Sequence, residues 1–227
     1  MTSEDKMKIA IDCIVLGFLD NNVYYLSDGK KGILIDPSCE GNRILKWLDN
    51  HNVSAIVLTH FHFDHIGAAA QLRDSLGVEV YATEKDALFV ENPDAAPGFH
   101  RKTTPCIVDK RLVDGEFISI GEMNWKVIET PGHSHGSMCL YTSDVEIEGV
   151  LPNGIKIDTS SNFTCNGVCV SGDTLFYHTH GRTDYADGSQ SDMIKSLQRL
   201  ACLPDNTLVL PGHGHATTIS AERGIML

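Results

Sequence analysis

Thr59 to His65 reads THFHFDH and follows VSAIVL (53–58), a continuous apolar run. An unbroken aliphatic run of that length is the pattern of a buried strand. IGAAAQLRDSL (66–76) comes next with helical spacing, and Gly77 stops it. His60, His62, Asp64 and His65 thus crowd a strand-to-helix turn, and the carboxyl end of a strand is where open sheets place their ligands. Taken singly, Asp64 would be a helix N-cap and each histidine a solvated turn residue. Together they make a cluster of imidazole and carboxylate suited to zinc, iron or manganese.

The same arrangement recurs at three later strand ends. His133 lies in TPGHSHGS (130–137) after the strand-like WKVIET, Asp173 in VCVSGDTL (168–175), and His213 in LVLPGHGH (208–215). Any one of them reads alone as a loop residue; four strand ends that each deliver a metal-ligand type read as one site. Between them the chain alternates short β-rich runs with a few helices. KIAIDCIVLG (8–17), NNVYYLSD (21–28) and GILIDPS (32–38) are strands separated by turn residues. RILKWLDN (43–50) and SDMIKSLQRLACL (191–203) have helical spacing, and 117–132 is a hairpin about Gly121-Glu122. Residues 84–112, broken by Pro93, Pro97, Gly98 and Pro105, read as loop with helical fragments. Strands in runs with interspersed helices predict an α+β chain: two mixed sheets inside and helices outside, an αββα sandwich.

At 227 residues the chain forms one domain, 1–227, large enough to bury a core without metal or disulfide staples. A metal site is therefore expected to be functional. Residues 144–166 are polar and turn-rich around Leu151-Pro152-Asn153-Gly154 and read as a hairpin insertion at the end of the sheet away from the metals. Lys and Arg number 18 against 30 Asp and Glu, a formal charge of −12, which argues against nucleic acid or an anionic membrane as partner. The N-terminal region has no basic segment ahead of a long apolar one, so no signal peptide is expected. The seven cysteines, an odd number, are then free cytosolic thiols; Cys165 and Cys169 lack the second pair of a zinc ribbon. The expected setting is cytoplasmic, with a small-molecule substrate and a monomer or small homo-oligomer.

The ordered set H-x-H-x-D-H, then His, Asp and His, closely resembles the metallo-β-lactamase superfamily, and the resemblance runs from the first strands to GHGH. It implies a first metal held by His60, His62 and His133, a second held by Asp64, His65 and His213, and Asp173 bridging the two. Asp36 in IDPS matches the family's early Asp, which supports the metal loop. Two divalent ions are implied, zinc first, with iron or manganese as alternatives. Paired metals of this kind stand about 3.5–4 Å apart and bring the pKa of bound water down toward 7. Asp64 and Asp173 are the carboxylates nearest the chemistry, although a metal-ligating Asp64 is a poor general base.

Within the superfamily THFHFDHIGA, TPGHSHGS, SGDTLF, GRTDY and PGHGHATTI look most like glyoxalase II-like hydrolases. That resemblance implies hydroxide attack on a thioester carbonyl of a hydroxyacyl-glutathione or related acyl-thiol, the metals stabilising the oxyanion. Arg182 in GRTDY is the expected substrate-binding cation; in the alternative, Asp184 or Asp187 nearby satisfies it. Tyr185 is expected in the same pocket. His215 stands where the long enzymes carry a Tyr that helps bind substrate. His178 and His180 lie off the motif and read as surface or wall residues. Only 14 residues follow His213, so the helical C-terminal domain of the long enzymes is not expected, and the identity of the leaving thiol stays open. The competing reading is a mononuclear iron persulfide dioxygenase, which shares GRTD but usually has Ala where Phe63 stands. Lactonases and a diiron redox scaffold are further alternatives.

Overall fold

In the computed structural model, which describes residues 6–98, 101–152, 154, 156–157 and 165–226, the short apolar runs become the strands of two mixed sheets. The chain first lays down β1 (Met7–Leu16), β2 (Asn21–Ser27), β3 (Gly32–Ile35), α1 (Gly41–Trp47), β4 (Val53–Val57), α2 (Phe63–Ile66), α3 (Ala69–Leu76), β5 (Glu79–Thr83), α4 (Glu84–Glu91) and β6 (Lys110–Leu112). It continues through β7 (Phe117–Ile120), β8 (Met123–Glu129), β9 (Met138–Ser143), β10 (Val145–Val150), β11 (Lys156–Ile157) and β12 (Gly167–Gly172). The last elements are β13 (Leu175–Phe176), β14 (Thr179–His180), α5 (Gln190–Leu200), β15 (Thr207–Pro211), β16 (Thr217–Thr218) and α6 (Ile219–Met226). The first sheet runs β11-β10-β1-β2-β3-β4-β5-β6 and the second β16-β15-β12-β9-β8-β7; β13 and β14 form a small hairpin of their own.

Strand alternation sorts the continuous apolar runs onto two faces. Ile33 and Ile35 of β3, Ala55 and Val57 of β4, Met138 and Leu140 of β9, and Leu208 and Leu210 of β15 all enter one cluster between the sheets. Leu34 and Ile56 point the other way, against Ile44 of α1, Leu72 of α3 and Val90 of α4. Cys139 and Val209 face outward from the second sheet, against Met193 and Leu197 of α5 and Ile219 of α6. The result is an αββα sandwich of the α+β class. Each strand side chain is buried whichever way it points, which is why the runs show no polar alternation. Truncating one of them, such as fully buried Leu34, to Ala costs about 2–5 kcal/mol.

One local feature departs from the sequence expectations and two give them detail. The helix expected over 66–76 is interrupted: α2 ends at Ile66 and α3 begins at Ala69, and Gly67 between them passes so close to the Ser38 carbonyl that a Cβ there would collide with it. Ala68 N–H donates to Pro37 O at 2.9 Å, so the segment after β3 braces the metal-loop helix. The helical fragments expected in 84–112 include α4, whose N-cap Thr83 accepts a hydrogen bond from Asp86 N. Residues 144–166 supply β10 and β11, and β10 pairs in parallel with β1 from Met7↔Val145 to Ile11↔Gly149. Val145, Ile147, Leu151 and Ile157 lie in the core between the sheets. Positions 153, 155 and 158–164 of that segment lie outside the described residues. No described helix is long and apolar enough to cross a membrane.

Candidate metal centre

The loops that follow β4, β8, β12 and β15 carry the candidate ligands, and the fold brings them together. Ligand nitrogens of His60, His62 and His133 lie within 4.8 Å of one another, and ligand atoms of Asp64, His65 and His213 form a second such group. Asp173 stands between them: Oδ1 is 3.3 Å from His65 Nε2, while Oδ2 is 3.4 Å from His133 Nε2 and 3.6 Å from His213 Nε2. His62 Nδ1 and His133 Nε2 approach to 2.9 Å, and His213 Nε2 lies 3.3 Å from Asp64 Oδ2. A third grouping, Asp36 with His60 and His65, overlaps the first two. The oxygens of Asp36 are already engaged. They accept from Thr59 N at 2.7 Å, Thr59 Oγ1 at 2.6 Å and His65 Nδ1 at 2.8 Å. Asp36 thus orients the cluster.

The tautomers follow from these acceptors. A carbonyl or carboxylate oxygen can only accept, so His65 Nδ1 donates to Asp36, His133 Nδ1 to Arg182 O at 2.8 Å, and His213 Nδ1 to Leu19 O at 2.9 Å. His60 Nδ1 lies 3.1 Å from Thr59 Oγ1, whose own proton goes to Asp36. Each of these four rings is left with Nε2 as its lone-pair nitrogen. Anchoring the far nitrogen in this way fixes the orientation of metal-ligating histidines. Among the described residues, His60 Nε2 is buried with no hydrogen-bond partner, which a bound ion would relieve. The donor set fits a pair of divalent metals.

Electrostatics separate the two triads. Burial, reinforced by the neighbouring histidines, holds His60 well below the ordinary histidine range and His62 at about 3, so both are neutral. His65 is raised against the effect of its burial, by Asp173, Asp64 and Asp36. Asp173, despite its burial, is held far below the usual carboxylate range by His65, His133 and His213. The first triad is therefore an all-nitrogen set in which His60 and His62 are neutral, and the second a mixed oxygen and nitrogen set.

The backbone makes room for this crowding. Asp36 sits in the left-handed region at φ 48°, a strain that Asp tolerates better than most residues. A Cβ at Gly212 would strike Asp173 Oδ1 and fall 2.7 Å from His65 Cε1. Ser189 N–H donates to Gly132 O at 2.8 Å, fastening the His133 loop to the start of α5.

Sequence reasoning missed Asp86. It is buried at the N-terminal turn of α4, where Oδ2 accepts from Phe61 N at 3.1 Å and Ser134 Oγ at 2.9 Å. One carboxyl group thus clamps the loop carrying His60 and His62 to the loop carrying His133. The signal was present as Thr83-x-x-Asp86, the spacing of a helix start, but the prolines downstream masked it.

A cavity of about 630 Å³ opens above the ligands. Arg182 and Tyr185 line it, and the Tyr185 ring packs edgewise on His62 and His133 at centroid distances of 5.0 and 5.6 Å. The guanidinium of Arg182 is engaged by Asp184, with Nε to Oδ1 at 2.6 Å and Nη2 to Oδ2 at 2.7 Å. His215 is exposed, 6.1 Å from the Tyr177 ring, and is not among the residues lining the cavity. Phe63 and Arg101, which sequence reasoning did not link to substrate, line it as well, and Phe18 joins them in a smaller hollow alongside.

A family model described as the metallo-β-lactamase superfamily matches residues 16–147. The chain is similar to hydroxyacylglutathione hydrolase GloC of Haemophilus influenzae, at 30% identity over 216 residues that cover 92% of each protein. The crystal structure of the BLEG-1 B3 metallo-β-lactamase superposes with a TM-score of 0.77 at 31% identity, over 94% of this chain and 96% of that one. TTHA1623, solved in a di-iron-bound form, superposes with a TM-score of 0.73 at 33% identity, over 93% and 96%.

Proposed function

Because the chain belongs to the metallo-β-lactamase superfamily, we propose that it is a dinuclear metal hydrolase of thioesters, with hydroxyacyl-glutathione or a related acyl-thiol as substrate. The observation that carries this reading is Asp173, whose two oxygens face histidines of both ligand groups. The activity named for GloC supports the thioester, and the di-iron form of TTHA1623 supports iron beside zinc and manganese as an occupant.

His60, His62 and His133 would hold one ion and Asp64, His65 and His213 the other, with Asp173 shared. When bound, such a pair supplies Lewis acidity at a carbonyl and a hydroxide nucleophile near neutral pH. The protein contributes position. Asp36 and the carbonyls of Leu19 and Arg182 hold His65, His213 and His133 in single orientations. Asp64 and Asp173, spent as ligands, supply negative charge rather than general-base catalysis. Tyr185 closes one wall over His62 and His133 and keeps bulk water from that side. A thiolate leaves with little help, since a thiol of pKa about 8.5 needs almost no protonation near neutral pH.

The test is anaerobic purification with metal analysis, followed by thioester and persulfide assays on the same sample. Two metals per chain with thioester turnover support the proposal. One iron per chain with oxygen consumption on a persulfide overturns it.

A further inference from the structure

Two guanidinium groups line the cavity, and they differ in what they have left to offer. Arg182 has both arms of its fork on Asp184 and lies 4.5 Å over the Tyr185 ring. Arg101 lies 4.4 Å over the ring of Phe18 and 5.4 Å from that of Phe63, and these two rings stack at 6.1 Å. None of the described carboxylates pairs with Arg101, in a chain whose acidic groups outnumber its basic ones by 30 to 18. A guanidinium laid flat on aromatic faces keeps its in-plane N–H edge open, and that edge matches a carboxylate with two parallel hydrogen bonds. The rings beneath it are also unusual in their placement: Phe18 is 66% exposed, a large apolar side chain left on the surface. Its contacts here are with Phe63 and Arg101, so it serves as a platform.

Arg101 borders the cavity together with Asp64 and His213, and the platform continues into a second, smaller hollow beside Leu16, Ser38 and Cys39. A substrate with its scissile carbonyl at the ligand cluster therefore passes Arg101 on its way out. The cavity volume is within the ~300–1,000 Å³ of small-molecule sites, enough for a ligand that spans both points. We infer that Arg101, held on the Phe18–Phe63 ring pair, is the carboxylate anchor of the substrate site and selects thioesters bearing a free carboxylate remote from the scissile bond. This rests on the thioesterase reading for its substrate but not for its binding chemistry, and the test separates the two.

The binding arm uses S-methylglutathione and its dicarboxamide, neither of which can be hydrolysed at a thioester, titrated calorimetrically into metal-loaded protein. Wild type is expected to bind the carboxylate form at least tenfold more tightly than the amide. Arg101→Ala collapses that preference to within threefold, and Arg101→Lys, which keeps charge but loses the fork, falls between. Phe18→Leu reduces the preference as well, because the platform is halved. The turnover arm repeats the comparison with lactoylglutathione, its dicarboxamide and lactoyl-coenzyme A, reading the effect in KM. A preference that survives Arg101→Ala in the binding arm overturns the inference whatever the turnover. A phosphate-bearing coenzyme A thioester preferred over the carboxylate one also overturns it, in favour of a phosphate anchor. Loss of carboxylate preference in the binding arm, without thioester turnover by wild type, upholds the anchor and overturns the thioesterase reading instead.

Discussion

Asp86→Asn is expected to flatten the pH dependence of stability. The Asp86 carboxyl is wholly buried; burial raises its pKa to about 7, the Asp187 carboxylate facing it adds to the rise, and the bonds from Ser134 Oγ and Phe61 N oppose it. In the unfolded chain an Asp titrates near 3.9. A shift of roughly 3 units at 1.36 kcal/mol each is about 4 kcal/mol. The folded-state pKa is raised, so this contribution is fully present below about pH 4 and is lost as pH climbs through about 7. Wild type should thus lose about 4 kcal/mol relative to Asp86→Asn between pH 4 and pH 8, at no more than about 1.4 kcal/mol per pH unit. Urea denaturation of both proteins, stripped of metal by a chelator, measures the difference; titrations the two share cancel. A difference constant within 1 kcal/mol from pH 4 to pH 8 would refute the reasoning. The Asn keeps an acceptor for Phe61 N and Ser134 Oγ, so its metal affinity should stay within tenfold of wild type. Asp86→Ala removes that acceptor, stranding two donors at about 1–3 kcal/mol each, and should weaken metal binding about 10–100-fold.

Other outcomes follow from single contacts. His133→Ala should abolish thioester hydrolysis while leaving the circular dichroism spectrum and a cooperative melt intact, because the sandwich does not depend on the metal for its core; a variant unfolded at room temperature contradicts this. Gly212→Ala drives a Cβ into Asp173 Oδ1, and kcat/KM should fall about 100-fold or more, with metal content per chain falling by inductively coupled plasma analysis; full metal content and activity count against the packing argument. Cys13, its thiol pushed up to about 12 by burial and then by Asp12, should resist iodoacetamide at pH 8 under conditions that alkylate exposed Cys202. Peptide mapping that finds Cys13 labelled as fast as Cys202 contradicts that assignment.

The strand ends and their ligands were legible in the sequence because both signals are local. A continuous apolar run marks a strand buried on both faces, and a His or Asp just beyond it needs no tertiary knowledge to be noticed. Asp36, just past the strand GILI, was placed at the metal loop by the family resemblance. Asp86, Phe18 and Arg101 were not legible, because what distinguishes each lies far away in sequence: Ser134 for Asp86, Phe63 and Arg101 for Phe18. Arg182 shows the converse. Its motif drew attention, yet its guanidinium is taken by Asp184 two residues on, while its main-chain carbonyl steadies His133. The hairpin of β10 and β11 at the sheet edge was legible in the alternating VEIEGV and the turn chemistry after it, but the burial of its inward face in the core was not. Its partner β1 lies at the other end of the first sheet's chain path, beyond the reach of any local pattern.

The parallel pairing of β1 with β10 also governs the order in which the molecule can be made. Met7 has to wait for Val145 before that side of β1 is covered, and closing so long a loop is slow because its entropy is lost before any contact repays it. A ribosome-bound chain that has emerged as far as residue 150 can complete the β1 edge and already holds His60, His62, Asp64, His65 and His133. It still lacks Asp173 and His213. Asp173 arrives only with the end of β12. His213 follows when β15 docks beside β12. Vectorial synthesis therefore delivers the candidate ligands in two batches, from His60 to His133 first and Asp173 with His213 last.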